Sequence, residues 1–378
     1  MDINNNLQVQ NLTIEQLYKL YKSEKLMVNR RYQRKLVWTV EEKEAFIDSI
    51  SIDYPVPLLL VAEVQYNGNQ VYEIIDGMQR LNAIMDFLED EFPLHGKYFD
   101  MDSVSFVKLL KDKGELHQVK PILSSELSSK IAGYSLPFSV TTNTEPKVID
   151  DIFKRINSSG KHLSPHEIRQ AGATNHFGHI VRALSESIRR DVSHSDILTL
   201  NSMKKISINS HKLRYGIDMG GIFWRKHNII TSENIRDSKD EELVAHLLGG
   251  ILVAPRPSAT SYNLDNFYAT NSQIEKKISM EGENVIIGRF QAVLEEFRKI
   301  FESKSEASFY KVLFKEDTKY VHRTFQAFFL ALYDILVNEQ LKITDYVSLC
   351  ESLEGVGGQI FHSKCREIPL LSRKRKRN

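Results

Sequence analysis

Between residues 58 and 88, three local signals follow one another with almost no connecting chain. Residues 58–64 are a near-continuous apolar run, the pattern of a buried strand. Tyr66-Asn67-Gly68-Asn69 carries the Asn-Gly turn signal, and residues 71–75 are the returning strand of an antiparallel hairpin. Asp76-Gly77-Met78-Gln79-Arg80 follows at once. Then Leu81-Asn82-Ala83-Ile84-Met85-Asp86-Phe87-Leu88 reads as a helix. A polar segment with one glycine therefore sits at a strand-to-helix corner, and the rest of the chain is organised around it.

Such a corner aims free backbone N–H groups and the positive end of the helix dipole at one point, which suits a phosphate or another anion. Gly77 lets the backbone turn sharply and a ligand approach closely. Arg80 falls in the first helical turn, and its planar fork suits phosphate oxygens. The same residues also fit an ordinary Asp-Gly turn that caps a helix, with Arg80 as a surface charge. The corner alone leaves both readings open.

Bulk charge does not choose between them. Lys+Arg number 50 and Asp+Glu 49, a formal net charge of +1, so any basic surface must be local. The 378 residues fit about two domains, and 42% hydrophobic content is enough for real cores. Cys350 and Cys365 are too few for a disulfide framework or a cysteine-rich zinc site, and fit a reducing, intracellular setting. Met1-Asp2-Ile3-Asn4-Asn5-Asn6 lacks a signal-peptide pattern, and no apolar run approaches the roughly 20 residues of a membrane span. The expected location is the cytoplasm.

Elsewhere, Thr13 with Gln16 three residues on reads as a helix start, and residues 41–52 as an amphipathic helix broken by Tyr54-Pro55-Val56-Pro57. Weaker signals place helices near residues 103–110 and 124–132, short strands near Tyr98-Phe99, and a strand at 135–141. A strong helix begins at Pro146 and stops at Asn157-Ser158-Ser159-Gly160. Ser164-Pro165-His166-Glu167 opens the next. Beyond about residue 175 the pattern is mainly helical, with candidates at 178–189, 206–223, 240–252, 272–301, 320–338 and 343–353. Residues 372–378 are a basic tail, which fits a solvated end or a non-specific nucleic-acid contact.

Two further stretches could bind a ligand. Arg31-Tyr32-Gln33-Arg34, followed by Trp38, could clamp a phosphate and a base, or be a solvated basic turn with Trp38 in the core. Phe153-Lys154-Arg155-Ile156-Asn157-Ser158-Ser159-Gly160 could close over an anion, or be a plain helix end. His162 and His166 have ligand spacing, but Pro165 starts a new helix between them, which argues against a shared metal. No His-Asn-His nuclease motif, zinc-protease motif, serine-hydrolase elbow or Walker-type phosphate loop is present.

Taken in order, Arg31-Tyr32-Gln33-Arg34 with Trp38, the strand pair after Pro55-Val56-Pro57, Asp76-Gly77-Met78-Gln79-Arg80, and Phe153 to Gly160 with Leu163 and Glu167 resemble the N-terminal domain of GmrSD-type restriction systems. That family is marked by an Asp-Gly-Gln-Gln-Arg motif. The resemblance covers about the first 175 residues, with a weaker continuation around Ile235 to Leu243. It implies an α+β fold, with a ParB/sulfiredoxin-like domain over residues 1–175 holding a small mixed sheet. A mainly helical domain would follow over 176–371, then the tail.

The resemblance also implies binding, with hydrolysis, of a nucleoside triphosphate of unknown identity with Mg²⁺, in antiviral defence. By position, Arg31, Gln33, Gly77, Met78, Gln79, Arg80, Asn157 and Gly160 would hold the nucleotide. Asp76, Arg80 and Arg34 would be catalytic, with Asp76 at the metal. Met78 stands where the family has glutamine, which removes a polar contact and bears on hydrolysis more than on binding. The Asp-His-Ile-x-Pro-like nuclease signature of full-length members is missing, so a separate subunit is expected to cut. Expected partners are DNA, including modified phage DNA, and that nuclease subunit, with homo-oligomerisation left open. A direct ParB-like nuclease and a non-enzymatic sensor of modified DNA are the alternatives.

Overall fold

The structure is a computed structural model that describes residues 7–357, apart from 32, 34, 143–145, 159–163, 172, 174, 192, 194, 209–212, 271 and 315–320. The basic tail, Cys365 and His162 lie outside the described residues. The chain divides into two compact units, Met1–Ala173 with Arg189–Met219, and Thr174–Ile188 with Gly220–Asn378.

The first unit is built on a mixed sheet. Its strands are β1 (Leu7–Thr13), β2 (Leu26–Asn29), β3 (Leu59–Tyr66), β4 (Asn69–Asp76), β5 (Ser135–Thr141) and β6 (Ile197–Thr199), in the order β1-β5-β3-β4-β2-β6. β3 and β4 form the expected antiparallel hairpin, with a register shift between Leu60 and Val61. β5 lies parallel to β3, and β2 parallel to β4. Both faces of the central strands are covered, which is why β3 begins as an unbroken apolar run.

Leu59, Val61, Ile74, Phe138 and Val140 face the larger core. That core includes residues of α1 (Ile14–Lys22), α2 (Val40–Ser51), α3 (Met78–Leu88), α4 (Ser105–Asp112) and α5 (Ser125–Gly133). Leu60, Ala62 and Ile75 face a smaller cluster with Ile149 and Phe153 of α6 (Pro146–Ser158), and with Ala171 at the end of α7 (Pro165–Gln170). Capping boxes start α1 at Thr13, α2 at Thr39 and α7 at Ser164. In each, the cap hydroxyl and an acidic or amide side chain three residues on exchange bonds with the backbone.

The second unit is helical. It contains most of α8 (His176–Arg189), α9 (Phe223–Lys226), α10 (Ser232–Arg236), α11 (Lys239–Leu252), α12 (Ser261–Phe267), α13 (Gln273–Glu281), α14 (Glu283–Phe301), α15 (Phe309–Leu313), α16 (Val321–Tyr333) and α17 (Tyr346–Ser352). Its centre is a nest of aromatic rings in which Phe297 contacts Phe223, Phe301, Phe309 and Phe325.

Two expectations are corrected. The helix expected over 272–301 is two helices, because Gly282 adopts φ +87°, which an α-helix cannot carry. The helix expected over 206–223 does not form. Its described part is mostly irregular backbone with a short 3-10 turn at Met219–Gly221. Ile208 N–H bonds to Leu36 O at 2.9 Å and Ile217 N–H to Ser207 O at 2.8 Å, and Gly216 has φ +104°. The region beyond 175 is mainly helical, as expected, and adds one short strand, β6, which pairs antiparallel with β2.

Candidate functional site

The corner sits where β4 passes into α3. Gly77 is the residue before the helix, with φ +100°, and no side chain caps the helix start. A Cβ at Gly77 would lie 2.3 Å from Leu59 Cδ2, so both the backbone angle and the space demand glycine. The N-terminal dipole of α3 is thus left without a side-chain acceptor in the structure.

Arg80 does not reach freely into solvent. It donates to Asp76 Oδ2 at 2.6 Å and to Leu58 O at 3.2 Å, and also to Pro57 O. Its side chain is only 11% exposed, against 34% for Asp76. Burial pulls the guanidinium below its usual range, and Asp76 works against that. An arginine guanidinium does not give up its proton in a protein, so the charge stays. Arg80 is therefore a fixed positive charge that ties the chain before β3 to the start of α3.

Gln79 takes the other flank. Its Oε1 accepts from Val37 N–H at 3.0 Å and from Trp38 N–H at 3.3 Å, and its Nε2 donates to Lys35 O at 2.8 Å. The side chain thus clamps the loop between β2 and α2. Met78 turns inward and is buried in the larger core. At that position only the backbone can serve a ligand.

The basic segment after β2 lies beside the corner. Gln33 Nε2 donates to Ile75 O, one residue before Asp76, at 2.6 Å. Arg31 is half exposed and loosely paired with Asp196 at 3.6 Å. Trp38 packs edge-to-face on Phe46 of α2, with ring centroids 5.6 Å apart. Arg34 and Gly160 lie outside the described residues. Asn157 is in the last turn of α6, whose Ile149 and Phe153 pack with Ile75.

A second polar cluster lies further along α3 and was not anticipated. Asp86 is fully buried and bonded to Lys43 of α2 and to the Tyr215 hydroxyl. Lys43 Nζ also donates to Asn82 Oδ1 at 2.8 Å. Lys204 Nζ is 3.0 Å from Asp86 Oδ1 and 2.6 Å from Glu89 Oε2. Burial lowers Lys43, with only Asp86 close enough to oppose it strongly. Burial acts the same way on Lys204, but Asp86 and Glu89 together outweigh it and hold that amine well above its usual value. Asn82, Asp86 and Glu89 recur at helical spacing on an apolar helix, the one sequence signal that could have flagged this stripe. Among the described residues, no cluster of three or more metal-ligating side chains occurs, and no helix is long and apolar enough to cross a membrane.

Residues 14–173 match the family described as GmrSD restriction endonuclease, N-terminal domain. The match takes in the hairpin, the corner, α6 and α7, and ends where the first unit's leading segment ends. That segment, 160 of the 378 residues, is similar to a GmrSD-type N-terminal domain, which suggests a restriction-system component. No curated protein matches the chain.

Proposed function

We propose that the chain is the nucleotide-dependent subunit of an anti-phage, modification-dependent restriction system, works in the cytoplasm, and licenses a separate nuclease on DNA. The observation that supports this most is the corner itself. It is a helix start without a side-chain cap, turned by a glycine that admits no Cβ, with a guanidinium locked behind it. The backbone N–H groups of Met78 and Gln79 take phosphate oxygens, as helix starts do. Arg80 supplies positive charge from a position that needs little reordering when the ligand arrives.

Arg31, half exposed and loosely paired with Asp196, is the more accessible cation and meets charge on the outer phosphates. Gln33 borders the corner through its bond to Ile75 O, and the resemblance gives Arg34 a catalytic role and Asn157 and Gly160 nucleotide contacts. Asp76 offers one carboxylate at the corner, which fits Mg²⁺, an ion that commonly takes one or two carboxylates and leaves its other positions to phosphates and water. When bound, Mg²⁺ would neutralise phosphate charge. Asp76 would hold it while giving up part of its bond to Arg80.

The test is a panel of nucleoside triphosphates with Mg²⁺, read by calorimetry and by thermal shift on the wild type, Arg80→Ala and Asp76→Asn. A ligand that binds only the folded state raises the melting point. The expected result is a rise in the wild type that Arg80→Ala abolishes and that in Asp76→Asn no longer depends on Mg²⁺. Equal nucleotide affinity in wild type and Arg80→Ala, both folded by circular dichroism, would overturn the proposal.

A further inference from the structure

The sheet has two edges, and they are treated differently. β6 closes one side with three residues, next to Asp196, which accepts from Arg30 N–H and pairs with Arg31. Short length and nearby charge are the usual ways of blunting an edge. β1 closes the other side with seven residues, Leu7-Gln8-Val9-Gln10-Asn11-Leu12-Thr13. It carries no charge and no proline, and its register with β5 runs unbroken from Leu7↔Thr141 to Thr13↔Ser135. Gln8, Val9, Gln10 and Asn11 are all exposed, Val9 by 65%.

The direction of the free backbone groups can be worked out. Ile14 N–H bonds to Tyr134 O at 3.1 Å, so Ile14 and Tyr134 are a hydrogen-bonded pair in this register. Such pairs alternate along an antiparallel ladder. Leu12, Gln10 and Gln8 therefore direct their N–H and C=O groups at β5. Leu7, Val9, Asn11 and Thr13 direct theirs outward. Thr13 confirms the parity, since its N–H is taken by Gln16 Oε1 at 2.8 Å.

We propose that this edge pairs with β1 of a second copy of the chain, antiparallel across a twofold axis at Val9, so that two sheets become one. The register places Val9 opposite Val9 and Leu7 opposite Asn11, each pair able to exchange backbone bonds. It sets Gln8 opposite Gln10, where the amides can bond to each other. A self-paired strand repeats every charge it has against itself, and β1 has none to repel. An edge contact of this kind buries little surface, so the dimer is reversible and concentration-dependent.

The experiment is light scattering on the full chain over a dilution series, for the wild type, Val9→Pro and Val9→Lys. Because the Val9 N–H points outward, proline there removes an edge donor and leaves the ladder to β5 whole. Lysine sets like charges opposite each other. The expected result is a wild-type dimer that dissociates on dilution. Both variants should associate at least about tenfold more weakly with unchanged melting. If Val9→Pro melts lower, Val9→Lys decides. Val9→Cys in a Cys365→Ser background should form an intermolecular disulfide on mild oxidation. A wild type monomeric at every concentration would overturn the proposal and leave the edge to a strand of another protein. A dimer indifferent to both substitutions would overturn it equally.

Discussion

At the start of α3, Asp76 and Arg80 form an ion pair whose carboxylate is 34% exposed; further along the same helix, Asp86 and Lys43 form one with no exposure on either side. The two pairs use the same chemistry. In the first, the arginine fork is spread over a carboxylate and two backbone carbonyls at the mouth of a turn, where a ligand can compete. In the second, two lysines, an aspartate and a tyrosine satisfy one another, with the Asp86–Lys43 pair at their centre out of reach of solvent. The difference is one of access. A partly exposed pair beside an uncapped helix start can act on something else, while a buried pair can only hold the protein together. Lys204 and Tyr215 belong to the segment that returns to the first unit. Their bonds to Asp86 are what fasten that segment to α3.

Asp86→Ala tests the comparison hardest. Removing one partner of a buried pair leaves the other charge uncompensated, at a cost of about 3–5 kcal/mol. Here Lys43 would lose its carboxylate partner while Lys204 keeps Glu89, so urea unfolding should show a loss within that range. If Asp86→Ala weakened nucleotide binding and left stability untouched, the buried cluster would be a site and the comparison would fail.

The next largest effect is one of pH. Asp90, two residues past the end of α3, is fully buried. Its carboxylate accepts from Gln118 at 2.7 Å and from Val119 N–H at 2.8 Å. Burial dominates over those bonds and pushes the carboxyl up to about 7. In the unfolded chain it ionises near pH 3.9. Between those values the folded protein keeps a proton that the unfolded chain has lost. This group's contribution is therefore full below about pH 4, falls as pH rises, and levels off above about pH 7, with a slope of at most about 1.4 kcal/mol per unit. Asp90→Asn keeps the acceptor and cannot ionise. Its urea midpoint should gain on the wild type's as pH is raised from about 5 to about 8. A constant difference across that range would mean that Asp90 is already ionised at the lower end.

Where the sequence was readable, local chemistry made it so. The Asn-Gly turn fixed the hairpin, the cap residues Thr13 and Ser164 fixed two helix starts, and Asp-Gly fixed the left-handed corner. The strand expected at 135–141 has the observed bounds. What stayed hidden depends on distant pairing. β1 is a run of glutamine, asparagine and apolar residues whose extended form is set by β5, far along the chain. β2 and β6 are four and three residues long, too short to announce a period, and exist because they pair with each other and with β4.

Legibility was uneven at the site as well. The glycine requirement could be read, but the direction of each side chain could not. The resemblance implies by position that Gln79 contacts the ligand, and in the free protein its side chain clamps backbone. Met78 looked like a lost polar contact, yet its side chain belongs to the core.

Gly77→Ala addresses the corner directly. Alanine at φ +100°, with its Cβ against the buried Leu59, should cost about 1–3 kcal/mol. The corner must also shift to relieve the contact, so the N–H groups of α3 lose their aim. Nucleotide affinity should therefore fall by more than the stability loss alone would produce. A variant that binds as the wild type does would place the phosphate away from α3.

Gln79→Ala has the smallest expected effect and separates clamp from contact. Three hydrogen bonds to the loop at Lys35, Val37 and Trp38 disappear, leaving those backbone groups to water or to nothing, for about 1–2 kcal/mol. If Gln79 only positions the loop, hydrogen exchange should quicken at Val37 and Trp38 in the free protein. Nucleotide affinity should then fall less than in Arg80→Ala, because the loop can still close on a bound ligand. If affinity falls as far as in Arg80→Ala while exchange at the loop is unchanged, Gln79 touches the nucleotide itself. The bonds drawn in the free protein would then have to exchange for bonds to the ligand, and the first turn of α3 would be a switch as well as a cradle.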